Sequence, residues 1–307
     1  MALTRLFPTL TTLTLFILLA GSADASPPPE EAWLASLYDR VAADVQAGVP
    51  VVVQAHVPLC DNNIIRCGRR GLGDGDDPDR NLYWATSGGF RGWFKRKDRG
   101  WRLVHQGPHG HRDILEVMVW RRQFSATRAW RARGVSSSFP VYVVAFAWRG
   151  SAIEAAMDAY ADDLFGARPR VVILADGTEL QAGGAAHIVA YVGHNGWMDV
   201  NDYAWPARTQ TARKGTIAVA CITADYLAED VVAEGRVPLL MTRTLLFAGA
   251  HSFEGAVSEF ARGGSLKRIR RAAISAYAQG QGKSETRVSS AFTNPADKRW
   301  PRATGDE

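Results

Sequence analysis

The sequence predicts an α/β protein built on a mostly parallel sheet, flanked by helices on both faces. Two observations predict it. Short apolar, β-branched-rich runs recur at 51–57, 114–120, 141–148, 171–174, 187–192, 216–222 and 238–242. They are largely apolar along their length rather than alternating, as strands covered on both faces are. Helix-period segments lie between several of these runs, and helical crossovers are how parallel strands are joined.

The chain opens with the three parts of a cleavable export signal. Arg5 gives a positive start, 6–20 is apolar apart from four threonines and one proline, and Ala23-Asp24-Ala25 sets small residues where a signal peptidase cuts. The apolar run is shorter than the roughly 20 residues of a spanning helix. Ser22, where a lipoprotein would carry Cys, argues against a lipid anchor. The expected organisation is therefore a signal peptide at 1–25, a spacer and helix at 26–48, one α/β domain at 49–280, and a polar tail at 281–307. The expected location is periplasmic or secreted, with no stable membrane anchor.

Within that frame, 31–47 has helical spacing, with Leu34, Leu37, Val41 and Val45 on one side. After the strand at 51–57 comes a loop at 60–80, rich in Asn, Gly and Asp. The spacing predicts a helix over 82–94, broken at Gly88-Gly89. Gln-Gly-Pro-His-Gly-His at 106–111 reads as a hairpin turn between Leu103 and Ile114. Ser151 and Glu154 make a capping-box pattern for a helix at 151–164. A last helical stretch at 253–278 is interrupted at Gly263-Gly264.

Hydrophobic content of 47% and charged content of 22% are ordinary for a soluble domain. A net charge of +5 is too small to define a partner, and no stripe of basic residues interleaved with aromatics suggests nucleic acid. Trp84, Trp93, Trp101, Trp120, Trp130 and Trp148 cluster in the first half. Packing accounts for them; a sugar or peptide platform is the alternative. The basic residues Lys267, Arg268, Arg270 and Arg271 form a helical face, solvated or docked on an anionic component.

Three cysteines are present: Cys60, Cys67 and Cys221. In an oxidising compartment Cys60 and Cys67, seven apart in a loop, can pair. Cys221 is then the thiol to explain. It is either a buried, inert residue or a working nucleophile.

The chemistry-bearing pattern is a pair of strand ends. His187-Ile-Val-Ala-Tyr-Val-Gly-His194-Asn195-Gly196 runs an apolar strand into a histidine between glycine-bearing positions. Gly215-Thr-Ile-Ala-Val-Ala220-Cys221 runs another into a thiol. In open α/β sheets reactive groups sit at the carboxyl ends of strands. If the two strands are parallel, imidazole and thiol share a rim, and a proton can pass between them. Gly196 leaves room for a substrate carbonyl near backbone N–H donors. Taken alone, a Cys within Ile-Ala-Val-Ala-Cys-Ile is a small buried hydrophobe, and a His at a strand end is a satisfied surface group.

An apolar block ending in His and Gly, followed by one ending in Ala-Cys, resembles the caspase-like cysteine peptidases. That group comprises legumains, gingipains, clostripain, separase and caspases. The resemblance spans roughly 51–278, with His before Cys as in that group. It implies a three-layer sandwich, Cys221 as nucleophile, His194 as its proton-handling partner, and the N–H groups of Gly196 and Cys221 as oxyanion donors. Legumain-like members steady the histidine with an Asn after the first strand, a place held here by Asn62 or Asn63. The sequence departs from the family where Asn195 separates His194 from Gly196 and where Val219 replaces a polar residue before Ala-Cys.

Two other clusters point elsewhere. Asp74, Asp76, Asp77 and Asp79 lack the calcium-loop frame and read as a solvated turn. His105, His109, His111 and Asp113 lie in the hairpin turn, not on the rigid elements that zinc requires. Asp199 and Asp202 follow the histidine strand and are open to three readings: caps, turn residues, or partners of an incoming cationic side chain. The expectation is an exported cysteine hydrolase, an endopeptidase acting on polypeptide through a thioester, with no metal or organic cofactor. The alternatives are a catalytically inactive relative serving as an envelope binding or scaffold protein, and a hydrolase or transferase using the same pair on small substrates.

Overall fold

A computed structural model describes residues 29–69 and 71–301. The signal-peptide reading lies outside these residues. In chain order the elements are α1 (Pro29–Gln46), β1 (Val51–Pro58), α2 (Phe90–Phe94), β2 (Arg102–Gly107), β3 (Ile114–Phe124), α3 (Arg128–Arg131), β4 (Phe139–Trp148), α4 (Ile153–Phe165), β5 (Pro169–Ile173), β6 (Glu179–Gly183), β7 (Ile188–Val192), β8 (Gly215–Val219), α5 (Thr223–Ala233), β9 (Val237–Thr242), α6 (Ala250–Ala261), α7 (Leu266–Gln281), α8 (Glu285–Val288) and β10 (Phe292–Thr293).

Eight strands form one sheet in the order β10-β9-β8-β7-β1-β4-β3-β2, and β5 and β6 make a separate hairpin. The five strands from β9 to β4 are mutually parallel. β3, β2 and β10 add antiparallel margins. The fold is thus α/β with a large, mostly parallel sheet. Every residue of β1, β7, β8 and β9 is buried, as in strands covered on both faces. Alternate residues of β1 enter opposite cores. Val51, Val53, Ala55 and Val57 pack with α1, α6 and α7. Val52, on the other face, packs with Met157 and Tyr160 of α4 and Leu227 and Val231 of α5.

β1 also carries a buried polar group. The fully buried His56 accepts from Trp148 Nε1 at Nδ1 (3.1 Å) and meets Asp163 Oδ2 through Nε2 at 3.0 Å. Burial alone would raise the Asp163 carboxyl, but His56 and Arg170 outweigh it and hold it below the ordinary carboxylate range. A buried charge persists when it is paired in this way.

The structure corrects several local expectations. The 82–94 helix is a series of turns with only α2 at its end, because Gly89 and Gly92 pack against the backbone of Trp84 and Thr86 too closely for any Cβ. Ser151 does not cap α4; a 3-10 turn at Gly150–Ala152 precedes the helix, whose N-cap is Ala152 without a side-chain bond. The chain after 280 is not merely a polar tail. α8 packs on α7, β10 pairs with β9, and Phe292, Thr293 and Asn294 are buried. The six clustered tryptophans are all buried, at 0–6% exposure, so packing accounts for them and the platform reading falls.

Candidate active site

β7 and β8 are adjacent and parallel, with Val192 opposite Val219. The Gly193 N–H donates to the Val219 carbonyl at 3.2 Å. His194 and Cys221 therefore leave neighbouring strands at the same rim of the sheet. The two segments are then tied directly: the Asn195 side-chain amide donates to the Cys221 carbonyl at 2.6 Å, and its Oδ1 accepts from Trp197 N.

His194 is 8% exposed. Its Nε2 lies 2.7 Å from Asp199 Oδ2. A carboxylate only accepts, so Nε2 carries the hydrogen and Nδ1 of the neutral ring presents a lone pair. Asp199 follows the 3-10 turn Gly196–Met198, which brings it back under the imidazole. Neither Asn62 nor Asn63 bonds His194. The Asn62 side chain closes its own loop onto the Gly68 N–H and carbonyl, and the Asn63 N–H donates to Asp61. The group bonded to His194 is thus Asp199, which the sequence left open between a cap, a turn residue and a partner of a cationic side chain.

Gly196 is buried, and a Cβ there would stand 2.4 Å from Met157 Sδ. The Tyr191 hydroxyl donates to the His194 carbonyl at 2.8 Å, which holds the bend that carries His194.

Cys221 is the free thiol among the described residues, and it is half-buried. Its Sγ lies 3.9 Å from the Leu246 carbonyl. Burial raises the Tyr83 and Tyr277 hydroxyls, and charge on Cys221 adds to both, which sets the thiol on their side of the rim. The next residue, Ile222, has φ 53° and ψ 35°. A β-branched side chain is strained in this left-handed region. The strain is over-determined: the Ile222 N–H donates to the Thr244 carbonyl, and Thr223 locks to Thr242 through N–H and hydroxyl bonds at 3.2 and 2.9 Å. α5 starts at Thr223, so Cys221 sits two residues before the first helical residue.

A cleft of about 550 Å³ opens beside the imidazole. His194, Gly196 and Asp199 form one wall, Ile153 and Met157 of α4 another, and Ile64 and Ile65 close it. Those isoleucines lie in the loop bridged by Cys60–Cys67, whose Cα atoms are 5.9 Å apart. The acidic loop makes turns and ion pairs: Asp76 holds Arg149 and Asp79 holds Arg91 at 2.6 Å. His109 and His111 pack edge-on against Phe146 and Trp148. On the basic face, Arg268 pairs with Glu259 and Arg270 with Asp297. Among the described residues no group of three or more His, Cys, Asp or Glu is placed to hold a metal ion, and no helix is long and apolar enough to cross a membrane.

No protein-family model matches the chain, and no curated protein or solved structure matches it either.

Proposed function

We propose that the protein is an exported, caspase-like cysteine hydrolase acting on polypeptides, with Cys221 as nucleophile, His194 as general acid and base, and Asp199 as the residue that positions His194. One observation carries the reading. Adjacent parallel strands deliver a carboxylate-held imidazole and a free thiol to one rim, where Asn195 joins the two segments.

The chemistry follows from these groups. The thiolate of Cys221 attacks the peptide carbonyl carbon, and the C–N bond breaks as the His194 imidazolium protonates the leaving amine. Water, deprotonated by His194, then hydrolyses the thioester. Asp199 keeps the ring in the tautomer that accepts at Nδ1. The N–H groups of Gly196 and Cys221 serve as the oxyanion donors. The Cys60–Cys67 bridge supports an oxidising, extracytoplasmic setting. The test is turnover of a mixed peptide library by wild type, Cys221→Ala and His194→Ala. Cleavage abolished in both variants, with unchanged folding, supports the dyad; cleavage retained in either rejects it.

A second reading, a catalytically inactive member of the same fold acting as a binding protein, rests on a specific observation. The His194 cleft does not include Cys221 in its walls, and the thiol is directed at the Leu246 carbonyl. Peptide binding without any thiol-dependent turnover would favour it.

A further inference from the structure

We propose that Tyr83 is a further catalytic residue, its phenol donating a hydrogen bond to the thiolate of Cys221. As catalysis the proposal rests on the nucleophile reading above; as a contact that stabilises the thiolate it does not.

The topology places the ring. Asn81, fully buried, fastens Tyr83 to the end of β1. Its Oδ1 accepts from the N–H groups of Cys60 (3.0 Å) and Tyr83 (3.1 Å), and its Nδ2 donates to the Cys60 carbonyl at 2.8 Å. The Tyr83 ring then meets the Phe247 ring, with centroids 6.1 Å apart. Phe247 lies in the loop after β9, and the carbonyl of its neighbour Leu246 is the group 3.9 Å from Cys221 Sγ. In the sheet, β7 and β8 stand between β1 and β9. A residue anchored at β1 that touches the loop after β9 therefore crosses the rim where His194 and Cys221 emerge. The contact is braced: the Ala250 N–H donates to the Gly88 carbonyl at 2.8 Å, and a Cβ on Gly88 would stand 2.8 Å from the Phe247 ring.

Tyr83 is 7% exposed, yet its hydroxyl has no partner. Among the described residues its hydrogen bonds run through the backbone, N–H to Asn81 and carbonyl from Phe90. A buried phenol is ordinarily paired. The neutral thiol is directed at the Leu246 carbonyl, an acceptor that repels a thiolate. On ionisation the sulfur needs a donor, and Tyr83 supplies one. Burial and the Cys221 charge both push the phenol up, so it stays protonated, and a donor, while the thiolate exists. Tyr83 also raises the buried Tyr191 hydroxyl, which bonds the His194 carbonyl, so the ring stands near both members of the dyad. Tyr277 of α7 faces the same side, but its oxygen accepts from the Phe247 N–H at 3.3 Å and braces that loop. The other titratable or charged groups on the surrounding elements are His194, Asp225 in the first turn of α5, Arg243 after β9, which donates to the Arg299 carbonyl, and His251 of α6, kept neutral by burial.

The experiment follows alkylation of Cys221 by iodoacetamide against pH, in full-length His194→Ala and in His194→Ala combined with Tyr83→Phe. Removing the imidazole takes its titration out of the profile. Tyr83→Phe keeps the ring on Phe247 and deletes one oxygen, so the fold is preserved. Iodoacetamide reads the thiolate, because only that form attacks. The added substitution is expected to raise the half-maximal pH by about one unit, with alkylation about tenfold slower near pH 7 and nearly equal rates once both thiols are ionised. An unmoved profile, or a rate lowered by the same factor at every pH, overturns the proposal. Peptide cleavage by wild type tests the peptidase reading separately. A shifted profile without cleavage keeps Tyr83 at the thiolate and rejects the peptidase; cleavage with an unmoved profile does the reverse.

Discussion

Asn195 Nδ2 donates to the Cys221 carbonyl at 2.6 Å, although the two residues are 26 apart in sequence. This bond joins the loop after β7 to the loop after β8, and so relates imidazole to thiol. Asn195 is fully buried, and both ends of its amide are used. Asn195→Ala leaves a buried carbonyl and a buried N–H unpaired, which costs about 2 kcal/mol. Urea denaturation should show that loss. Peptide turnover should fall further than about tenfold, through kcat rather than KM, because the substrate cleft is untouched while the dyad loses its tie.

Ile222 holds φ 53° immediately after the nucleophile. A β-branched residue there carries strain of order 1–3 kcal/mol. Ile222→Asn, which tolerates the left-handed region, should leave stability unchanged or raise it by up to about 1 kcal/mol, less whatever packing the half-buried isoleucine supplied. A loss beyond about 1 kcal/mol in chemical denaturation would show that packing, not backbone strain, dominates this position.

The Cys60–Cys67 bridge closes a short loop, and that loop carries Ile64 and Ile65 into the cleft. Replacing both cysteines with serine should lower unfolding free energy by about 2 kcal/mol. It should also weaken binding of a fluorescent peptide, because the cleft wall loses its anchor. Unchanged binding by anisotropy would detach the bridge from the site.

His251 is fully buried against Trp93, Phe247 and Tyr277. Burial, helped by Arg99, pushes its imidazole down to about 4. Its folded-state value is lower than the unfolded value of about 6.5. Between those two pH values the unfolded chain takes up a proton that the folded chain refuses, so stability falls as pH drops from about 6.5 to about 4. The full effect is about 3 kcal/mol. His251→Phe removes the titration, and thermal melts of wild type and variant should converge as pH falls through that window. Parallel pH profiles would exclude His251 as a source of acid sensitivity.

The parallel strands were legible in the sequence because both of their faces are buried. Val51-Val52-Val53 and Gly215-Thr-Ile-Ala-Val leave no polar alternation to confuse. The hairpin read between Leu103 and Ile114 is the β2–β3 pair, whereas β6 was not legible, because Glu179-Leu-Gln-Ala-Gly lies at a margin where water satisfies alternate positions. The strand ends that carry His194 and Cys221 could be read for the same reason as the strands. Asp199 could not: a carboxylate five residues past a histidine looks like any turn residue until the 3-10 turn folds it back. Ser151 misled in the opposite direction, because the capping pattern was present but a 3-10 turn claimed its backbone.

The most direct test is covalent labelling of Cys221. A thiol-reactive peptide probe is incubated with wild type, Cys221→Ala and His194→Ala, and the adduct is located by mass spectrometry. The account predicts stoichiometric labelling of wild type at Cys221, none in Cys221→Ala, and strongly slowed labelling in His194→Ala. Equal labelling of wild type and Cys221→Ala, or labelling of wild type that is indifferent to the loss of His194, would contradict it.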